Sequence, residues 1–144
     1  MSKGPVIYLE GYRINKILYK TEEDANNMVS SAEPNFSFEF GFTEDYKKAL
    51  LTVEVELFDT QRSRFIQVSI SGNFNIPESE FTDEEIQLFV AQNGSAILFP
   101  YLRATVSMIT TLDGPSAIVL PTLNMIDEIT KTMSSDITKD PSEM

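Results

Sequence analysis

The sequence predicts an α+β domain, in which a four-stranded antiparallel sheet is followed by a long helix and a shorter C-terminal helix. Two observations carry this. Up to residue 75 apolar residues alternate with period two, as on half-buried strands. Beyond it they recur at helical spacing, behind a capping signal at Thr82. The 144 residues, 16.2 kDa in all, suit a single domain with a real core, assigned to residues 1–133. Residues 134–144 are polar, lack aromatics and read as a flexible tail.

The first strand, about 6–19, alternates imperfectly. Tyr8, Tyr12, Ile14 and Leu18 share a parity that Ile17 and Tyr19 break, which predicts a bulge or a two-sided environment. Residues 21–33 are acidic and polar and read as a loop. In 35–43, Phe36, Phe38, Phe40 and Phe42 share one face, and Asn35, Ser37, Glu39, Gly41 and Thr43 the other. In 50–58, Leu51, Val53, Val55 and Leu57 oppose Thr52, Glu54 and Glu56. After a polar turn at 59–63, Ile66, Val68, Ile70 and Phe74 oppose Gln67, Ser69, Ser71 and Asn73. Gly72 marks a bulge or the close approach of another backbone. The short connections make these last three strands an antiparallel meander.

Pro77 ends the strands. Thr82 followed by Glu85 is a capping box that opens a short helix to about Ala91. Asn93-Gly94 is expected to break it, and Ser95 to cap a second, longer helix reaching Leu112. Projected at about 100° per residue, the apolar residues of 97–112 cover an arc of roughly 220°. One sheet covers only about half that width. The helix is therefore expected to be covered on two sides, the second by another subunit, through Leu98, Tyr101, Leu102, Val106 and Ile109. Asp113-Gly114-Pro115-Ser116 ends the helix, and 117–120 is an apolar loop or extended segment. A final amphipathic helix at 123–133 carries Ile126, Ile129 and Met133 on one side, and its charges suit the helix dipole.

Composition narrows the function. Eleven basic against 22 acidic residues give a formal charge of −11. That argues against nucleic-acid partners and anionic membrane surfaces. Without His or Cys, nucleophile–His pairs, thiol chemistry and Cys/His metal sites are excluded, and no Gly-rich loop cradles phosphate. The expectation is a non-enzyme with no cofactor and no metal. Paired carboxylates raise glycosidase or oxygen-ligand metal readings, but no aromatic–polar cleft pattern or ligand loop supports them. No apolar signal region follows residues 1–5, and 96–112 is interrupted by Pro100, Arg103 and hydroxyl residues. The chain thus reads as cytoplasmic, with no membrane insertion.

The run Ile97-Leu98-Phe99-Pro100-Tyr101-Leu102-Arg103 resembles the I-L-F-P-Y-A-R run that opens the long helix in the bacterial SecB export-chaperone superfamily, departing only at Leu102. Its context is similar too: four strands before it, then a Gly/Pro loop, an apolar segment, a proline, Asn124 and a closing helix. The resemblance spans about 6–133 and looks like a divergent branch found in low-GC Gram-positive bacteria (Firmicutes). The post-helix loop, Leu112-Asp113-Gly114-Pro115-Ser116, departs most from the family's R-G-T-F-P type of stretch.

The resemblance implies dimers built through edge strands and long helices, and tetramers as dimers of dimers. It implies ATP-independent holding of unfolded polypeptides in apolar grooves, without a cofactor. It also implies that an acidic outer sheet face contacts the translocation motor SecA, a role that would fall to Glu39, Glu54 and Glu56; the plain alternative is a solvated face. The Phe36, Phe38, Phe40 and Phe42 row either lines a client groove or fills the sheet–helix core. Leu120, Met125, Ile129 and Met133 either form the groove's other wall or are ordinary helix packing. Arg103 either pairs at a subunit interface or reaches solvent. The rival to a chaperone is a non-catalytic structural or regulatory oligomer of the same fold that binds one dedicated partner, such as an antitoxin-like protein or a cell-envelope factor.

Overall fold

The computed structural model describes residues 7–21, 33–114 and 116–138, with side chains of the last stretch followed to Thr132. Strands β1 (Tyr8–Lys20), β2 (Asn35–Phe42), β3 (Lys48–Asp59) and β4 (Arg64–Asn75) precede helices α1 (Asp83–Leu112) and α2 (Met125–Thr138). The strands form one antiparallel sheet in the spatial order β1-β4-β3-β2. Strands β2, β3 and β4 are the meander, whereas β1 lies on the far side of β4, so β1 and β2 are the two edges. Residues 22–32 of the predicted acidic loop are outside the described residues.

The broken parity of β1 corresponds to two register irregularities, between Leu9 and Gly11 and between Ile14 and Lys16. They bring Leu9, Tyr12, Ile14, Ile17 and Tyr19 opposite Phe74, Gly72, Ile70, Val68 and Ile66. Directly opposed residues share a face, so all five lie on the side of the sheet that α1 covers. Beneath α1 the alternate residues of β3 (Leu51, Val53, Val55, Leu57) and of β4 (Ile66, Val68, Ile70, Phe74) are buried and form the core.

Helix α1 is continuous for 30 residues, behind the predicted capping box in which Thr82 and Glu85 each accept from the other's backbone N–H. The expected break at Asn93-Gly94 does not occur, and Ser95 is no cap. Gly94 and Ser95 are buried inside the helix. A Cβ on Gly94 would collide with Cδ2 of the fully buried Leu51. The glycine is there so that the helix can lie close on the sheet, and that packing offsets its helix-propensity cost of about 1 kcal/mol. Gly72 meets it from below, since a Cβ there would lie 2.7 Å from Leu98 Cδ2. Gly72 thus marks a close approach, by the Leu98 side chain and not by another backbone, and the strand register runs through it unbroken.

Residues 116–124 run back along α1 in extended form, tied by side chains instead of a strand partner. Ser107 Oγ donates to the Ile118 carbonyl (2.8 Å), and the Ile118 N–H donates to Thr110 Oγ1 (2.8 Å). Arg103 Nε donates to the Leu120 carbonyl (3.1 Å). Within the protomer Arg103 thus holds this strap, and no carboxylate among the described residues forms an ion pair with it. Asn124 Oδ1 then accepts from the backbone N–H groups of Ile126 (3.0 Å) and Asp127 (3.3 Å), capping α2. Helix α2 passes its predicted end at Met133 and reaches Thr138, so the first residues assigned to the tail are helical; 139–144 are outside the described residues. Its buried face runs through Met125 and Ile129, while Ile126, predicted to share it, is 62% exposed.

Candidate functional site

The four phenylalanines of β2 all fall on the α1 side of the sheet and are all half-buried, packed against the core but not enclosed by it. Phe36 meets Phe99 of α1 edge-on, with ring centroids 5.7 Å apart. Phe42 lies against Tyr46, 5.5 Å between centroids. Because β2 is an edge strand, one flank of this row has no strand neighbour among the described residues. Each ring of the row is thus packed on the core and partly exposed.

The wall proposed opposite that row is placed differently. Leu120, Met125 and Ile129 are buried, at 1%, 7% and 0% exposure, so within the protomer they are core beneath the strap and α2. Met133 belongs to α2, and its side chain is outside the described residues. What the strap and α2 do present to solvent is Val119 and Ile126.

The subunit-interface residues are also redistributed. Leu98, Leu102 and Val106 are fully buried against the protomer's own sheet, and Ile109 is half-buried against the same core. Only Tyr101 of the five is open. The helix's second cover is partly the chain's own strap, docked on Arg103, Ser107 and Thr110. A third face of α1 remains apolar and exposed, through Tyr101, Met108 and Leu112. Beside it β1 exposes Tyr12, Ile14 and Ile17, and Tyr12 stacks on Tyr101 with centroids 4.1 Å apart. By length and composition α1 would suffice to cross a membrane, contrary to the reading of 96–112. The apolar character comes from serving the sheet and this outer face at once. The i, i+4, i+7, i+11 spacing of Tyr101, Thr105, Met108 and Leu112 could have shown that face, had the arc been divided by neighbour.

Glu39, Glu54 and Glu56 share the outer face of the sheet, as their alternation requires. Glu39 lies across from Thr52, Glu54 across from Ser37, and Glu56 across from Asn35. Gln67 Nε2 donates to Glu54. On β1 that face carries the basic Arg13, Lys16 and Lys20, opposite Ser71, Ser69 and Phe65 of β4, and on β3 it carries Lys48, opposite Asn75 and 4.0 Å from Glu10 of β1. Acidic side chains of the outer face thus concentrate on β2 and β3 and basic ones on β1, with Lys48 of β3 and Glu10 of β1 meeting across the end of β4. Among the described residues no group of three acidic side chains is arranged to hold a metal ion.

Sequence reading missed the buried Arg64, which sits just past the predicted turn. It is 1% exposed. Its Nε bonds Asp59 Oδ2 at 2.6 Å, and Nη2 donates to the Ser116 carbonyl at 2.6 Å. Nη1 reaches the Tyr19 hydroxyl (3.3 Å) and the Thr110 carbonyl (3.4 Å), with Asp113 at 4.0 Å. One guanidinium joins the end of β1, the β3–β4 hairpin, the carbonyl end of α1 and the start of the strap. The Tyr19 hydroxyl donates to the Asp113 carboxylate. Burial raises the Tyr19 pKa above its ordinary value, and that bond adds to the rise. A raised tyrosine pKa contributes stability below the unfolded value of about 10 that is lost as pH climbs through the folded value. Tyr19→Phe is therefore expected to flatten the decline of urea midpoints measured between pH 9 and 11; an unchanged slope would contradict the assignment.

An antiparallel β1-β4-β3-β2 sheet, one face under a long helix whose return strap leads to a short second helix, is a SecB-like fold. No family model matches the sequence, and no curated protein matches it. Among solved structures the chain is similar to the Mycobacterium tuberculosis SecB-like chaperone Rv1957, determined in complex with a ChAD peptide from the Rv1956 HigA1 antitoxin. The identity is 16%, covering 81% of this chain and 87% of that chain, with a TM-score of 0.60. It is also similar to a protein of unknown function from Streptococcus agalactiae, at 19% identity over 83% of this chain and 100% of that one, with a TM-score of 0.50. At these identities the likeness is one of fold.

Proposed function

We propose that this chain is a SecB-like, ATP-independent binding protein for unfolded or partly folded polypeptides. It acts without catalysis, metal or cofactor, in the cytoplasm of a low-GC Gram-positive bacterium. The observation that carries the reading is the row of four half-buried phenylalanines along an open sheet edge. Rings of this kind offer large apolar area to many sequences. Burying one client leucine or phenylalanine contributes about 1.5–3 kcal/mol before ordering costs, so a few anchors reach roughly micromolar affinity. The working form is a dimer or dimer of dimers, joined through Tyr101, Met108 and Leu112 of α1 beside Tyr12, Ile14 and Ile17 of β1. In its export form the proposal assigns a SecA contact to Glu39, Glu54 and Glu56.

The test is suppression of aggregation of an unrelated unfolded protein. Wild type is expected to suppress it at a several-fold molar excess, and folded Phe38→Ser and Phe42→Ser variants to lose most of that effect. Met125 is unsuitable for this purpose because it is buried. The second reading, one dedicated partner, is favoured by the Rv1957 structure, which holds a peptide from an antitoxin. It becomes the better account if folded wild type fails to suppress aggregation and a native-lysate pull-down retains a single protein.

A further inference from the structure

The outer face of the sheet, turned away from α1, carries a charge pattern that the protomer does not use. The strand registers set Arg13, Ser71, Thr52 and Glu39 side by side across β1, β4, β3 and β2. Lys16, Ser69, Glu54 and Ser37 form the next row. Each row starts with a cation on β1 and has its carboxylate on the far strands. Arg13, Lys16 and Glu39 are exposed, and none of the three enters an ion pair among the described residues. Between the flanks Ser69 and Ser71 are only 6% and 7% exposed, and Ser71 Oγ is already bonded to Thr52 Oγ1 (2.8 Å) and to Asn15. The middle of the face is thus low and internally satisfied. Its charges also balance: Arg13, Lys16, Lys20 and Lys48 stand against Glu10, Glu39, Glu54 and Glu56, in a chain of formal charge −11. The excess of carboxylates lies off this face, so two such faces approach with little self-repulsion.

We propose that this face is a docking surface for the same face of a second copy of the chain, with a two-fold axis parallel to the strands. Turning a copy over about that axis keeps each row level and reverses its order. Arg13 then comes over Glu39 of the second copy, and Lys16 within one strand spacing, about 4.8 Å, of its Glu54. The contact is isologous, so both pairs occur twice. A two-fold axis across the strands would instead lay β1 on β1 and set Arg13 and Lys16 against cations; charge selects the first arrangement. The strands are 8 to 13 residues long. At about 3.3 Å per residue and 4.8 Å between strands they present roughly 700 Å² a side, so a pair buries about 1,400 Å², within the range of stable interfaces. Polar groups left between the two sheets keep bridging water. The contact is separate from the outer face of α1 and from the phenylalanine row, which lies on the other side of the sheet, so its failure leaves the polypeptide-binding reading standing. It covers the carboxylates assigned above to a SecA contact, so the two engagements exclude each other.

The test is sedimentation of the full chain at micromolar concentration. Wild type is expected to double its mass on passing from about 500 mM to about 20 mM salt, because screening removes a charge-paired contact and spares an apolar one. The double variant Arg13→Glu with Lys16→Glu makes the strand pattern almost wholly acidic, and Glu39→Lys with Glu56→Lys makes it largely basic. Each double variant alone is expected to keep the high-salt mass at low salt. An equimolar mixture of the two is expected to regain the doubled mass, a restoration that no loss of folding could mimic. Carbodiimide treatment of mixed isotopically light and heavy wild type is expected to join Lys16 of one copy to Glu54 of the other. A wild-type mass that does not change with salt, either double variant assembling alone as wild type does, or a mixture that stays at the high-salt mass would each overturn face-to-face pairing. Links between copies confined to residues outside the outer face would overturn it as well.

Discussion

Val106→Asp is expected to unfold the protomer, whereas Met108→Asp leaves it folded and separates it from its neighbours. The two residues are two positions apart on α1 and differ in what they face. Val106 has no exposed surface and packs into the sheet-side core, while Met108 is 65% exposed beside Tyr101. An unpaired carboxylate at Val106 costs several kcal/mol, a large part of the 5–15 kcal/mol that holds a typical domain together. At Met108 the carboxylate is hydrated in the free protomer and is penalised only when another subunit covers it. Circular dichroism and light scattering at micromolar concentration separate the outcomes. A wild type that scatters as a compact monomer would remove the case for α1's outer face as an interface. Unfolding by Met108→Asp would show that this face is held within the protomer.

Arg64→Ala is expected to cost about 3–5 kcal/mol, the usual penalty for breaking a buried ion pair from one side. Three groups lose a bond together: the Asp59 carboxylate, whose other oxygen keeps the Gln61 N–H, the Thr110 carbonyl, which keeps the Asp113 N–H, and the Ser116 carbonyl that starts the strap. The melting temperature should fall by on the order of 10–15 °C. The neighbouring Arg62, whose side chain is 36% exposed and 3.9 Å from Asp113, is the control; Arg62→Ala should change stability by less than about 1 kcal/mol. Equal losses for the two variants would mean that the buried cluster is not what joins the helix end to the sheet.

The strands were legible because their information is local. Period two in 35–43, 50–58 and 65–75 sorts side chains onto two faces whatever the strands pair with, and the observed burial follows it closely in β2 and β3. The broken parity of β1 announced its bulges in the same way. The candidate site was legible only in part. The phenylalanine row could be placed on one face, but its half-exposure follows from β2 lying at an edge, and the sheet order is decided by β1 pairing with β4, outside the local pattern.

By itself, then, the sequence determined the α+β class, the strand faces, the capping box at Thr82 and Glu85, and a helix too apolar for one sheet to cover. The tertiary structure alone decided which neighbour each apolar face would meet. Gly94 read as a breaker because a glycine's local effect is to loosen a helix; it is helical because Leu51, far away in sequence, fills the space a side chain would need. Leu98, Leu102 and Val106 went to the core because they face the sheet, and Tyr101 and Met108 to the surface because the strap covers a different side of the helix, at Arg103, Ser107 and Thr110. Arg64 is buried because four separate segments converge on it. Close approach and charge pairing depend on groups brought together only by folding, and no periodicity in the chain encodes them.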